Sequence, residues 1–120
     1  MSATLSFGNG KSSKIQTGLY INGKFTQGAE GKTFAVVNPS NGKEICHVSE
    51  ASAKDIDQAV KVAREAYETK WGEKVAGRDR GRILIRLAEL IEEHADELAA
   101  IESLDNGKAF SIVSSVCARH

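Results

Sequence analysis

The chain has 120 residues, 41% of them hydrophobic and 27% charged, and its 16 basic and 16 acidic side chains cancel to a formal charge of zero. That length fits one domain or less. The balanced charge leaves no footprint for nucleic acid or a membrane surface, and no apolar run is long enough to span a membrane. Two cysteines, Cys46 and Cys117, are too few and too distant for a disulfide scaffold, which points to a reducing compartment.

Residues 1–29 contain no acid, and their only charges are Lys11, Lys14 and Lys24. They lack the arginines and helical apolar face of a mitochondrial presequence, and the apolar stretch of a secretory signal. The sequence predicts a disordered, solvated arm over 1–17 and a cytosolic protein, with order beginning near Gly18. Leu19-Tyr20-Ile21 and Lys24-Phe25-Thr26 flank Asn22-Gly23, a two-residue hairpin signal because both turn positions need positive φ. Residues 33–37 are β-branched and aromatic and form a second strand, which stops at Asn38-Pro39. A third strand over 43–48 sets Ile45 and His47 against Cys46 and Val48. It pairs with the second as an antiparallel hairpin across Asn41-Gly42.

From Ser49 the apolar period changes from two to 3.6. Ser52 with Asp55 reads as a capping box, and Ile56, Ala59, Val60, Ala63 and Tyr67 mark one face of a first helix ending at Trp71-Gly72. A second helix starts near Asp79 and carries Ile83, Leu84, Leu87 and Ile91. Its arginines, Arg78, Arg80, Arg82 and Arg86, read as a solvated face paired with acids such as Asp79 and Glu89. After a joint at His94, Asp96 is placed to cap a third helix. That helix stops at Asn106-Gly107, where glycine can take the left-handed conformation. Asp105 sits awkwardly, since a carboxylate in the last turn faces the negative end of the helix dipole. Lys108, a cation or plain solvation must offset it. Hairpins followed by three amphipathic helices make an α+β arrangement whose single apolar stripes are thin for a self-standing core. The segment is expected to cover the face of something larger.

Little catalytic chemistry is legible. Gly10-Lys11-Ser12 and Gly31-Lys32-Thr33 imitate the end of a phosphate-binding loop, but Leu5 and Thr26 stand where its first glycine belongs, and no G-x-G-x-x-G occurs. Cys46 and His47 are adjacent on a strand and point apart, so they do not share a metal. Cys117 with His120 lies at the chain end. Neither cysteine has a base in a defined arrangement.

Four runs carry a resemblance: L-Y-I-N-G-K-F at 19–25, T-F-A-V-V-N-P-S-N-G-K-E-I at 33–45, R-G-R-I-L-I-R-L-A-E-L-I-E at 80–92 and E-S-L-D-N-G-K-A at 102–109. In this order they resemble the N-terminal end of an NAD(P)-dependent aldehyde dehydrogenase of the broad-specificity tetrameric kind, over residues 18–110. The resemblance implies the first part of a Rossmann-type α/β coenzyme domain in a homo-oligomeric enzyme. Such an enzyme oxidises aldehydes to acids through a nucleophilic cysteine, with NAD or NADP as hydride acceptor. The catalytic cysteine and coenzyme site have no counterpart in this chain, so no catalytic or cofactor-binding residue is assigned and the chain is expected to be inactive alone. The alternative is a non-catalytic module docking on full-length dehydrogenase subunits. The resemblance also implies part of a site for Na+ or K+, from the backbone of Val36 and Val37 and the carboxylate of Asp105. Residues 111–120 depart from the family pattern and read as a Ser/Val tail left by truncation or misreading.

Overall fold

The structure is a computed structural model that describes residues 1–7 and 10–117, the last three of these by backbone alone. Alternation of small polar and apolar residues near the start builds two strands, β1 (Ser2–Ser6) and β2 (Ser12–Gln16). They pair antiparallel with Leu5 opposite Ser13 and Ala3 opposite Ile15. The expected disordered arm is therefore corrected to a hairpin. Its inward residues are Ala3, Leu5, Ser13, Ile15 and Thr17, of which Leu5, Ser13 and Thr17 are buried, and two of those three are polar. That composition hid the period. Gly8 of the supposed arm lies outside the described residues. Three links tie the hairpin down: Ser13 Oγ donates to Glu97, Ser49 N–H donates to Thr17 O at 2.9 Å, and Ser49 Oγ reaches Met1 Sδ at 3.6 Å.

Two further hairpins follow the sequence expectation. β3 (Leu19–Ile21) pairs with β4 (Lys24–Thr26) across Asn22-Gly23, whose φ values are 53° and 73°. β5 (Thr33–Val37) pairs antiparallel with β6 (Glu44–Ser49). Each of these sheets has two strands, so each depends on what packs over it.

α1 (Ala53–Ala66) opens on the capping box, with Ser52 Oγ accepting from Asp55 N–H and the Asp55 carboxylate accepting from Ser52 N–H at 2.8 Å. Asp55 also accepts from Ala29 N–H at 3.0 Å, which pins the preceding loop to the helix start. The helix widens into one π-turn over Tyr67–Trp71, closed by Gly72 N–H to Tyr67 O at 2.8 Å. α2 (Gly77–Glu93) has no side-chain cap. Instead Arg80 Nη1 donates to Gly72 O at 2.9 Å and Val75 O at 2.6 Å, tying the loop to the first turn. The other arginines pair with acids as expected: Arg82 with Asp79 at 3.6 Å and Arg86 with Glu89 at 2.9 Å.

α3 (Ala95–Asn106) starts at the His94 joint, one residue before Asp96. Asp96 therefore lies in the first turn and complements the dipole rather than capping. The supposed tail forms a fourth helix, α4 (Phe110–Cys117), packed on α3, with Val113 2% exposed. Ala118, Arg119 and His120 lie outside the described residues.

Among the described residues the buried apolar ones are few: Leu5, Ala99 and Val113. The molecule is a slab of 48 × 39 × 18 Å with a radius of gyration of 17.2 Å, against about 14 Å for a compact chain of this length. Its accessible surface is 8782 Å², where about 6,300 Å² suffices for a compact monomer of this mass.

Candidate functional site

The structure brings two distant motifs into contact. The turn after β5 holds Asn38-Pro39-Ser40, fixed by Asn38 N–H to Lys43 O at 2.9 Å and by Ser40 N–H to Asn38 Oδ1 at 2.8 Å. Against it lies the end of α3. Gly107 has φ 76° and donates to Ser103 O at 3.1 Å, and a Cβ added there would stand 2.9 Å from Pro39 Cγ. Glycine is needed twice over, for the left-handed backbone and for the close approach of proline. Asn106 Oδ1 accepts from Lys108 N–H at 2.8 Å, and Ser103 Oγ donates to Lys108 O at 2.6 Å. The Gly107 bond satisfies a carbonyl of the last turn, and the other two hold Lys108 against the helix end.

Beside this contact runs an apolar groove of about 540 Å³ between the N-terminal hairpin, β5–β6 and the α2–α3 corner. Leu5, Val36, Val48, Leu98 and Ile101 line it, with Asp105 and Glu102 as its charged edge. A β-bulge shapes one wall. Val36 pairs with Cys46 but Val37 pairs with Glu44, so Ile45 is an extra residue on β6. The strict alternation expected for β6 is thereby broken, and Ile45, Cys46 and Val48 all line the groove. His47 stays exposed, beside Glu44 at 3.3 Å.

Of the three residues set apart for a cation, the structure places Val36 and Asp105 on this groove, while Val37, half exposed, lies past the bulge and outside the lining. The Asp105 side chain has no hydrogen bond or ion pair among the described residues. Lys108 is not its partner, because its Nζ faces Glu102 at 3.9 Å. Asp105 is exposed, so solvation offsets its position against the helix dipole. One charged oxygen is thus at hand for a hard cation. The second, on Glu102, is already engaged by Asn106 Nδ2 at 3.2 Å and by Lys108. Among the described residues no group of three or more His, Cys, Asp or Glu side chains is placed to hold a metal ion.

Cys46 is a free cysteine. Burial pushes its thiol pKa up, and the Asp105 and Glu44 carboxylates push the same way. It stays a protonated thiol at neutral pH, the opposite of an activated nucleophile. Sequence reading missed the Ser13–Glu97–His94 contact, in which Glu97 accepts from Ser13 Oγ and sits 3.2 Å from His94 Nδ1. The Ser13 bond, then His94, lowers the Glu97 pKa. Only the hairpin's placement reveals this group, and it latches the hairpin to α3.

Comparison with known proteins gives one consistent result. Residues 25–116 match the aldehyde dehydrogenase family. The chain is 51% identical to an aldehyde dehydrogenase of Agaricus bisporus over 105 residues, which are 88% of this chain and 21% of that protein. It is 50% identical to a cytosolic 10-formyltetrahydrofolate dehydrogenase of Xenopus tropicalis over 87% of this chain and 12% of that one. Its fold is similar to a point mutant of Staphylococcus aureus betaine aldehyde dehydrogenase in complex with NAD+, with a TM-score of 0.82 and 30% identity over 86% of this chain and 21% of that one. It is also similar to a Bacillus cereus aldehyde dehydrogenase, with a TM-score of 0.79 and 40% identity over 84% of this chain and 21% of that one. The chain spans roughly a fifth or less of the length of each of these relatives.

Proposed function

The chain belongs to the aldehyde dehydrogenase family, and from that premise we propose that it supplies one layer of a fold that oxidises aldehydes with NAD+, without dehydrogenase activity of its own. The observation that carries this is the surface. The chain leaves 8782 Å² accessible, about 2,500 Å² beyond what a compact monomer of its mass requires, and the apolar side chains that face out on α1 and α2 are among those exposed. A family member that spans a fifth of its relatives and leaves such a face open fits the role of a layer rather than a complete catalyst. NAD+ as the acceptor is supported by its presence in the Staphylococcus aureus complex. No residue of this chain is assigned to NAD+ or NADP+ or to the chemical step, and the raised thiol pKa of Cys46 argues against it as a nucleophile.

Asp105, with the backbone of Val36 and Val37, would supply part of the oxygen shell of a sodium or potassium ion. The meeting of Pro39 with Gly107 supports this, because it brings the end of β5 to the last turn of α3. The other ligands would come from another segment. A second reading is a non-catalytic module that docks on complete dehydrogenase subunits, and it draws on the same exposed faces.

The direct test is NADH formation from acetaldehyde by the purified 120-residue chain. The expected result is none above the protein-free rate. NADH accumulating in proportion to the chain would overturn the proposal.

A further inference from the structure

We infer that Asn22-Gly23, the turn of the β3–β4 hairpin, is a site of spontaneous deamidation, set apart by the fold from the other Asn-Gly pairs of the chain. The sequence holds such pairs at Asn9, Asn22, Asn41 and Asn106, and Asn9 lies outside the described residues. The chemistry is the same at each. The backbone nitrogen of glycine, once its proton is lost to base, attacks the carbonyl carbon of the Asn side chain. The new C–N bond closes a five-membered succinimide, and the amide nitrogen leaves as ammonia. Water then opens the ring at either carbonyl, giving aspartate or isoaspartate. Water is the one reagent consumed and ammonia the one product released. Glycine favours the step because it has no side chain to crowd the ring.

Asn22, Asn41 and Asn106 are all exposed, so exposure does not rank them; their partners do. At Asn106, Oδ1 accepts from Lys108 N–H at 2.8 Å and Nδ2 donates to Glu102 at 3.2 Å. The attacking nitrogen there, that of Gly107, donates to Ser103 O at 3.1 Å, and Pro39 crowds its α-carbon. At Asn41, Oδ1 accepts from Lys43 N–H at 2.9 Å and Gly42 N–H donates to Asn38 O at 2.8 Å, but the space around Gly42 is open. At Asn22, neither the side-chain amide nor Gly23 N–H has a hydrogen-bond partner among the described residues. The space around Gly23 is open too. Ring closure requires Asn22 to leave its left-handed conformation, φ 53°. What holds it there is a hairpin of two three-residue strands, marginal by itself. The other two pairs must first give up hydrogen bonds from both reacting groups. The order is therefore Asn22, then Asn41, then Asn106. Isoaspartate adds a carbon to the backbone of a two-residue turn that needs positive φ at both positions. Its formation should open the hairpin and part the Tyr20 and Phe25 rings, whose centroids lie 4.8 Å apart.

The experiment incubates the purified 120-residue chain in mildly alkaline buffer, with a parallel sample in concentrated urea, and follows its tryptic peptides by mass spectrometry. Residues 15–24, 33–43 and 87–108 place the three pairs on separate peptides. In buffer the 15–24 peptide should convert from amide to acid about tenfold or more faster than either of the others, with the 87–108 peptide slowest. In urea the three rates should converge, because the hydrogen bonds that set the order are gone. Asn22→Gly keeps a turn that Gly-Gly accepts and should leave the mass of the 15–24 peptide constant. A 15–24 peptide no faster than the 33–43 peptide in buffer would overturn the inference. So would the same spread of rates persisting in urea, or a continuing amide-to-acid change in the 15–24 peptide of Asn22→Gly.

Discussion

Leu5, Ala99 and Val113 are 4%, 0% and 2% exposed, and all three belong to the N-terminal hairpin, α3 or α4. On the other side α1 and α2 carry apolar residues at regular spacing and bury none. Ile85 on α2 is 63% exposed, whereas Ile101 on α3 is half-buried. The pattern separates them in part, since α1 and α2 are strongly amphipathic and α3 hardly at all. Whether a second layer lies opposite decides the rest, and α3 has the hairpins and α4 to face. One region is closed by the chain itself; the other is shaped but left open.

That contrast breaks first at its closed end. Leu5→Ala should lower stability by about 2–4 kcal/mol, since it empties a buried site, read as a fall in the urea midpoint. Gly107→Ala should cost about 1–2 kcal/mol, from the left-handed backbone and the crowding of Pro39. The same urea titration checks it, and a neutral result would show that the Pro39–Gly107 contact does not hold the two motifs together. Ser52→Ala should remove the α1 cap for about 1 kcal/mol, seen as a lower melting temperature.

Acid should loosen both regions through different carboxylates. The Ser52 hydroxyl, then Ser52 N–H and Ala29 N–H, lowers the Asp55 pKa, and the Ser13 hydroxyl, then His94, lowers that of Glu97. A folded pKa below the unfolded value means that the unfolded chain binds more protons as pH falls. The stabilisation is therefore complete above the ordinary carboxylate pKa and lost as pH drops through the folded values. Melting curves from pH 6 down to about pH 3 should show the loss, with Asp55→Asn and Glu97→Gln each flattening part of it. The smallest effect belongs to the open side. Leu87→Ala should change stability by less than about 0.5 kcal/mol, and a large drop would mean that α2 is covered after all.

Much of this was legible in the residues. Asn22-Gly23 fixed one hairpin, Ser52 with Asp55 fixed the start of α1, and Asn106-Gly107 fixed the end of α3, because each is a local rule about φ or an unpaired backbone group. The N-terminal hairpin was not legible, since Ser13 and Thr17 face inward where a pattern reader looks for apolar side chains. The bulge that turns Ile45 toward the groove was hidden too, because register belongs to a strand pair and not to one strand. α4 was passed over because Ser114 and Ser115 weaken its helical signal, and packing on α3 outweighs that propensity.

The sequence by itself determined where helices begin and stop, which residues turn, and through four ordered motifs the family. It did so because capping, turns and periodicity are settled within a few neighbouring residues. Only the tertiary structure decided that Pro39 meets Gly107, that Asp105 shares a groove with Val36, and that α1 and α2 stay open. These depend on which surfaces meet across long separations in the chain, and burial is a property of the pair of surfaces and not of either one.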